Sequence, residues 1–275
     1  MKSLLGAILA TLVTASGSAG QEPASLERGY HLMYSFEFDA AARDLQRWRA
    51  DHPDDPLGPA SQAANLLVSE LARLGILEAQ FFANDKSFTS TRRPAADREL
   101  RTRFNQALDG ATRLATVRLG RDGRDRDALL AMTLVSGLRA DYAALVEERS
   151  LASLSYTRDG AKWARRLLEV APDCADAYLA TGISDYIVGS LIPPLRWLLR
   201  LGGYTGDKAK GIEQLKITAA RGRLLAPLAR ILLSIAYIRQ DDRVRAREVL
   251  AELRREFPSN PLFQREIERL DSGRR

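Results

Sequence analysis

Apolar residues recur three and four positions apart along nearly the whole chain, and almost no stretch alternates with period two, so the sequence predicts an all-α fold. The C-terminal region carries the pattern most clearly. Leu228, Ile231, Leu232, Ile235 and Ile238 form one stripe, and after Gln240–Asp241–Asp242 a second runs through Ala246, Val249, Leu250, Leu253 and Phe257. Two antiparallel helices joined by a short turn satisfy both. Pro258 stops the second helix, and Asn260–Pro261 supplies an N-cap and a first-turn proline for a final helix with Phe263, Ile267 and Leu270, which reads as a terminal cap.

The same hairpin recurs near the start, where helical runs over Leu26–Phe36 and Phe38–Ala50 end at His52–Pro53. Counting back from Pro53 as position 32 of a unit of about 34 residues puts Gly29 at 8, Leu32 at 11, Ala41 at 20, Leu45 at 24 and Trp48 at 27. Counting back from Pro258 puts Ser234, Tyr237, Ala246, Leu250 and Leu253 at those positions. Pro172 closes a third helix bearing Trp163, Leu167 and Leu168, with Gly160 at position 20, and Tyr178, Thr181 and Gly182 then open another unit at positions 4, 7 and 8. Two interruptions break the spacing. One is a helix over Leu66–Phe82 followed by the polar connector Asn84–Pro94; the other delays Gly211, the small residue of the unit opened at Ala175, by about seventeen residues.

This small, large, small, large, large pattern closed by proline resembles the tetratricopeptide repeat, in which small residues at positions 8 and 20 let two helices approach. The resemblance implies a helical-hairpin solenoid, an α-α superhelix with insertions. The insertion reads IPPLRWLLRLGGYTGDK, a proline pair opening a short apolar helix before a glycine-rich turn. With Gly211, Leu215, Pro227, Tyr237, Pro258 and Phe263 following in order, the C-terminal third is similar to the eukaryotic tetratricopeptide repeat protein 39 and inclusion-body-clearance family. The Phe36–Glu37–Phe38–Asp39–Ala40 segment is compatible with that family's opening repeat. The resemblance implies a helical-repeat adaptor without a catalytic centre.

Residues 1–20 carry one charge at Lys2, an apolar stretch from Leu4 to Val13 and then small residues, the order of a secretory signal peptide. The apolar run is about ten residues, against roughly 20 needed to span a bilayer. Cleavage after Ala19 or Gly20 is expected, leaving one helical-repeat domain over 21–275 in the periplasm or outside the cell; retention as an N-terminal anchor is the alternative. No cysteine follows the run to take a lipid. The remaining 40 basic and 35 acidic side chains are interspersed, and the basic clusters are mere pairs such as Arg92–Arg93 and Arg165–Arg166, which argues against nucleic-acid binding.

Two histidines, His31 and His52, and one cysteine, Cys174, exclude a disulfide framework and a Cys/His zinc cluster. Cys174 sits among alanines and reads as a small buried residue. In Gly202–Gly203–Tyr204–Thr205–Gly206–Asp207–Lys208 an aspartate follows the last glycine where a phosphate loop needs lysine, so Asp207 reads as the next N-cap. Glu147–Glu148 and Asp54–Asp55 are adjacent pairs whose side chains point apart, and Ser150, Ser153 and Ser155 lack a glycine elbow. No catalytic residue, cofactor or metal site is assigned, although carboxylates gathered only by folding would leave an envelope enzyme as an alternative.

The segment 187–201 places Trp197 between Arg196 and Arg200, a composition suited either to burial against neighbouring repeats or to docking on a membrane surface through Trp197. In the superhelix that the resemblance implies, the first helix of each unit lines a concave wall at positions 2, 5, 9, 12 and 13. Those positions put Tyr30, Met33, Tyr34, Ile183, Tyr186, Ile235 and Arg239 on the wall, where tyrosine and arginine suit recognition of a protein or peptide partner. The competing reading is that Tyr30 and Tyr186 fill core space. The expected function is an exported, non-catalytic adaptor.

Overall fold

A computed structural model describes residues 24–77, 94–190 and 206–272. These form eleven α-helices, with no strand among the described residues. In order they are α1 (Leu26–Tyr34), α2 (Phe38–Asp51), α3 (Leu57–Arg73), α4 (Arg98–Arg121), α5 (Arg126–Leu145), α6 (Ser150–Val170), α7 (Ala177–Gly189), α8 (Lys208–Arg221), α9 (Ala226–Arg239), α10 (Arg243–Glu256) and α11 (Pro261–Asp271). The expected signal segment, the Asn84–Arg93 connector and Trp197 with the heart of its insertion lie outside the described residues.

Local chemistry sets the helix ends. Asp97, Asp125, Asp207 and Asp242 each cap the N-terminus of the helix that follows, and Asn260 accepts the Leu262 N–H ahead of Pro261. The helix expected over Leu66–Phe82 instead begins at Leu57 and stops at Arg73. Gly75 adopts a left-handed φ of 68°, and the Ile76 N–H reaches back to the Leu71 carbonyl at 2.8 Å, closing the last turn. Asp241 makes the same kind of stop with φ 59°, the Asp242 N–H donating to Tyr237 O at 2.9 Å.

Each helix packs on its sequence neighbours, so the chain is a series of hairpins: α1/α2, α3/α4, α5/α6, α7/α8 and α9/α10, with α11 covering the end. The first helices also pack on one another, α1 on α3, α3 on α5 and α5 on α7. They therefore form the inner, more closely spaced row of a curved array, and one continuous apolar core runs from Leu26 to Ile267. Within a hairpin the approach is closest where side chains vanish. A Cβ on Gly211 would stand 2.6 Å from the Tyr186 backbone nitrogen and 2.7 Å from the Gly182 carbonyl. Gly160 likewise faces Ser136 and Gly137. The middle helices α4, α5 and α6 run to 24, 20 and 21 residues, longer than the 14 of α9 and α10, so the spacing of the central units departs from that of the last.

The array curls until its ends touch. Glu27 on α1 pairs with Arg223, before α9, at 2.7 Å, and His31 and Tyr34 place their rings 5.0 and 5.7 Å from Phe257 at the end of α10. The Asn260 side-chain amide donates a buried hydrogen bond to Tyr34 O at 2.9 Å. By length and composition α5 could cross a membrane, but 61% of its apolar window is buried inside the fold, as befits a core helix.

Candidate binding cleft

The inner row is parallel, so the N-terminal ends of α1, α3, α5, α7 and α9 gather at one end of the molecule. Between them lies a cleft of about 460 Å³. Leu26, Leu57, Leu130 and Ala175 give it an apolar floor, and Arg126, Arg221 and Arg223 stand in its wall with Asp55, Asp127, Asp173 and Asp176. Helix N-termini carry partial positive charge, which adds to the field of the arginines.

Most of the carboxylates are committed to structure. Asp55 accepts from Trp48 Nε1 at 2.8 Å and from the Leu57 N–H at 2.9 Å, and Asp127 lies 3.7 Å from Arg118. Asp176 is buried and accepts from three successive backbone N–H groups, those of Arg223, Leu224 and Leu225, at 2.9 to 3.2 Å. It thereby ties the α6–α7 turn to the start of α9. Burial raises its carboxyl above the ordinary value, and the three N–H donors offset only part of that rise.

The arginines are held more loosely. Arg126 pairs with exposed Asp173 at 3.1 Å and Arg223 with exposed Glu27, both ion pairs in contact with water. Arg221 is exposed and has no carboxylate within ion-pair distance among the described residues. Cys174 also lines the cleft, half-buried, and burial pushes its thiol up, which makes it a poor nucleophile. Among the described residues no group of three His, Cys, Asp or Glu side chains is placed to hold a metal ion.

The wall residues expected from the repeat register divide into two sets. Tyr30, Met33 and Tyr34 are corrected: they are 3, 3 and 6% exposed and belong to the core, because α11's leading turn, Phe257 and the start of α9 cover the inner side of α1. Burial pushes the Tyr30 hydroxyl up to about 12 and the Tyr34 hydroxyl well above its usual value. Ile183, Tyr186 and Ile235 are half-buried, and Arg239 is exposed at the end of α9. Lys208 Nζ stands 5.7 Å from the centre of the Tyr186 ring. Asp141, not singled out from sequence, sits on the face of α5 that also carries Leu130 and Leu134, three turns beyond the cleft. It retains accessible surface, yet crowding pushes its carboxyl up to about 6.

A second hollow of about 640 Å³ lies on α1 and α2, among Leu32, Ala40, Arg28, Arg43 and Arg47. Its buried Asp44 is held by Arg47 at 2.5 Å and Arg28 at 3.8 Å, an arrangement that fastens α1 to α2. The cleft residues escaped sequence reading because they come from several interhelical turns and helix ends far apart in the chain. The available signal was that Asp122–Arg126, Pro172–Asp176 and Arg221–Arg223 are successive hairpin-to-hairpin turns, which any such array stacks at one end.

No family model, curated protein or solved structure matches this chain.

Proposed function

We propose that the chain is an exported, non-catalytic scaffold of the tetratricopeptide type that binds a protein or peptide partner along the inner row beyond the covered α1, on α7 and α9. The observation that carries this reading is the set Ile183, Tyr186, Ile235 and Arg239, which keeps accessible surface on two successive first helices while Tyr30, Met33 and Tyr34 do not. An aromatic ring beside a lysine, with isoleucines on α7 and α9 and an arginine at the end of α9, offers apolar area with polar tips, the composition of protein recognition sites. The close approach at Gly182–Gly211 supports the tetratricopeptide comparison. The order of charge, apolar run and small residues in 1–20 supports export.

Site-specific photocrosslinking in the producing cell tests this. Crosslinkers at positions 186 and 239 are expected to trap one common protein, lost on Arg239→Glu, while position 151, where Leu151 is 85% exposed on α6, traps none of it. Equal labelling from all three positions would overturn the proposal. Intact-mass measurement of the recovered protein tests export: a chain beginning at residue 20 or 21 is the expected result.

A further inference from the structure

We infer that the partner bound on the inner row presents a lysine or arginine to Asp141, from a polypeptide segment whose other contacts are aliphatic side chains. The inference rests on partner recognition along α7 and α9 and adds the chemistry of what is recognised there.

The helices concerned are set level with one another at the cleft, which Leu130 and Asp176 both line and where Asp176 accepts from the Leu225 N–H at 2.9 Å. Asp141 lies eleven residues beyond Leu130, Tyr186 ten beyond Asp176 and Ile235 ten beyond Leu225. At about 1.5 Å of rise per residue, all three reach the same height on parallel helices, roughly 15 Å from the cleft. The surface at that height is aliphatic, since Ile183 and Ile187 on α7 and Ile231 and Ile235 on α9 all keep accessible area. The close packing that joins α1 to α3, α3 to α5 and α5 to α7 is not continued from α7 to α9, although the two are tied at their N-terminal ends. The long connections after α3 and after α7 also leave from this end of the row, and insertions in helical arrays commonly mark the binding face.

Asp141 stands at this surface without a counter-charge. It makes no hydrogen bond or ion pair among the described residues, and crowding alone pushes its carboxyl up to about 6, although water still reaches it. Glu70, on neighbouring α3, is by contrast held by Arg73 at 2.7 Å, and Asp176 by three N–H groups. A segment laid over the wall expels the water that solvates Asp141. An apolar residue set against the carboxylate would strand the charge or force a proton onto it, and an acidic one would be repelled, whereas an ammonium or guanidinium replaces the lost water with a charge-assisted hydrogen bond. The chain carries a net charge of +6, so a preference for a cation here runs against the field of the whole protein and has to come from a local acid.

A positional-scanning library of N-acetylated hexapeptide amides, titrated against the full chain by fluorescence anisotropy, reads this chemistry directly. The expected selection is lysine or arginine at one position with leucine, isoleucine or valine favoured beside it. The best peptide should lose about tenfold in affinity when norleucine replaces its cation, and equally in Asp141→Asn. Asp141→Lys is expected to turn the preference at that position to aspartate or glutamate, a reversal that a purely structural role for Asp141 would not produce. Peptides selected for aliphatic residues alone, or a cation preference that survives in Asp141→Asn, would overturn the inference and leave partner binding on α7 and α9 standing. Binding by no peptide would overturn it as well, and the crosslinks at positions 186 and 239 then decide the partner reading separately.

Discussion

Asp176 shows how one side chain joins two hairpins. Its carboxylate satisfies three N–H groups at the entry to α9, two of which belong to fully buried residues, Leu224 and Leu225. Asp176→Ala leaves those donors without acceptors and is expected to cost about 2 kcal/mol, read from chemical denaturation. Asp141 has the opposite character. Its folded carboxyl, pushed up to about 6, lies above the ordinary unfolded value of about 3.9, so the folded state holds its proton longer and stability falls as pH rises between the two. Asp141→Asn should therefore raise Tm at pH 7.5, with the gain shrinking as pH falls from about 6 and gone below about 4; because water reaches the side chain, the gain is modest. Glu70 bends the acid limb the other way. Burial alone would raise it, but the Arg73 guanidinium at 2.7 Å and the Asp97 N–H hold its carboxyl below the usual range, and that stabilisation is lost as pH falls. The caps at Asp207 and Asn260 could be read from sequence because a cap and its helix are three residues apart. Asp176 could not, since its partners lie 47 to 49 residues away.

At the scale of elements, hairpins stand or fall on how closely their two helices approach. Gly182 and Gly211 bring backbone against backbone, and the atoms a Cβ on Gly211 would meet belong to the Tyr186 and Gly182 main chains, which cannot swing aside. Alanine would gain about 1 kcal/mol of helix propensity at that position. The steric cost of displacing α7 is expected to exceed it, leaving Gly211→Ala less stable by about 2 kcal/mol in equilibrium unfolding. Gly182 stands out in the sequence at the small position of the unit that opens after Pro172, whereas Gly211 is found only by allowing for the insertion of about seventeen residues before it. The terminal hairpins were legible because Gly29, Ala41, Ser234 and Ala246 keep a fixed spacing from the closing prolines. The central ones were not: α4 to α6 are extended by additional turns, and nothing in a 3.6-residue period sets how long a helix continues. The end of α3 depended on Gly75 taking a left-handed conformation, which the run of leucines around it obscured.

Across the whole molecule the decisive feature is that the array closes. Curvature is the sum of small rotations between successive hairpins, and no single residue encodes it; the placement of Tyr30, Met33 and Tyr34 on an open wall failed for that reason, while Ile183, Tyr186, Ile235 and Arg239 kept their accessibility. An open solenoid unfolds repeat by repeat, with its terminal units least protected. Here α1 is held from both sides, by α2 and α3 and by Phe257 and Asn260. Truncation after Glu256 removes the second set, and hydrogen exchange is expected to show lost protection in α1 as well as in α10. Loss confined to α9 and α10 would mean that the contact between the ends adds nothing.

A polypeptide is made from its N-terminus, and the apolar side of α1 finds its last cover only when Asn260 arrives, 226 residues after Tyr34. Through most of its synthesis the nascent protein thus displays a sticky, unfinished edge. Assembly cannot be completed segment by segment behind the ribosome, and the final step is the docking of the newest hairpin onto the oldest.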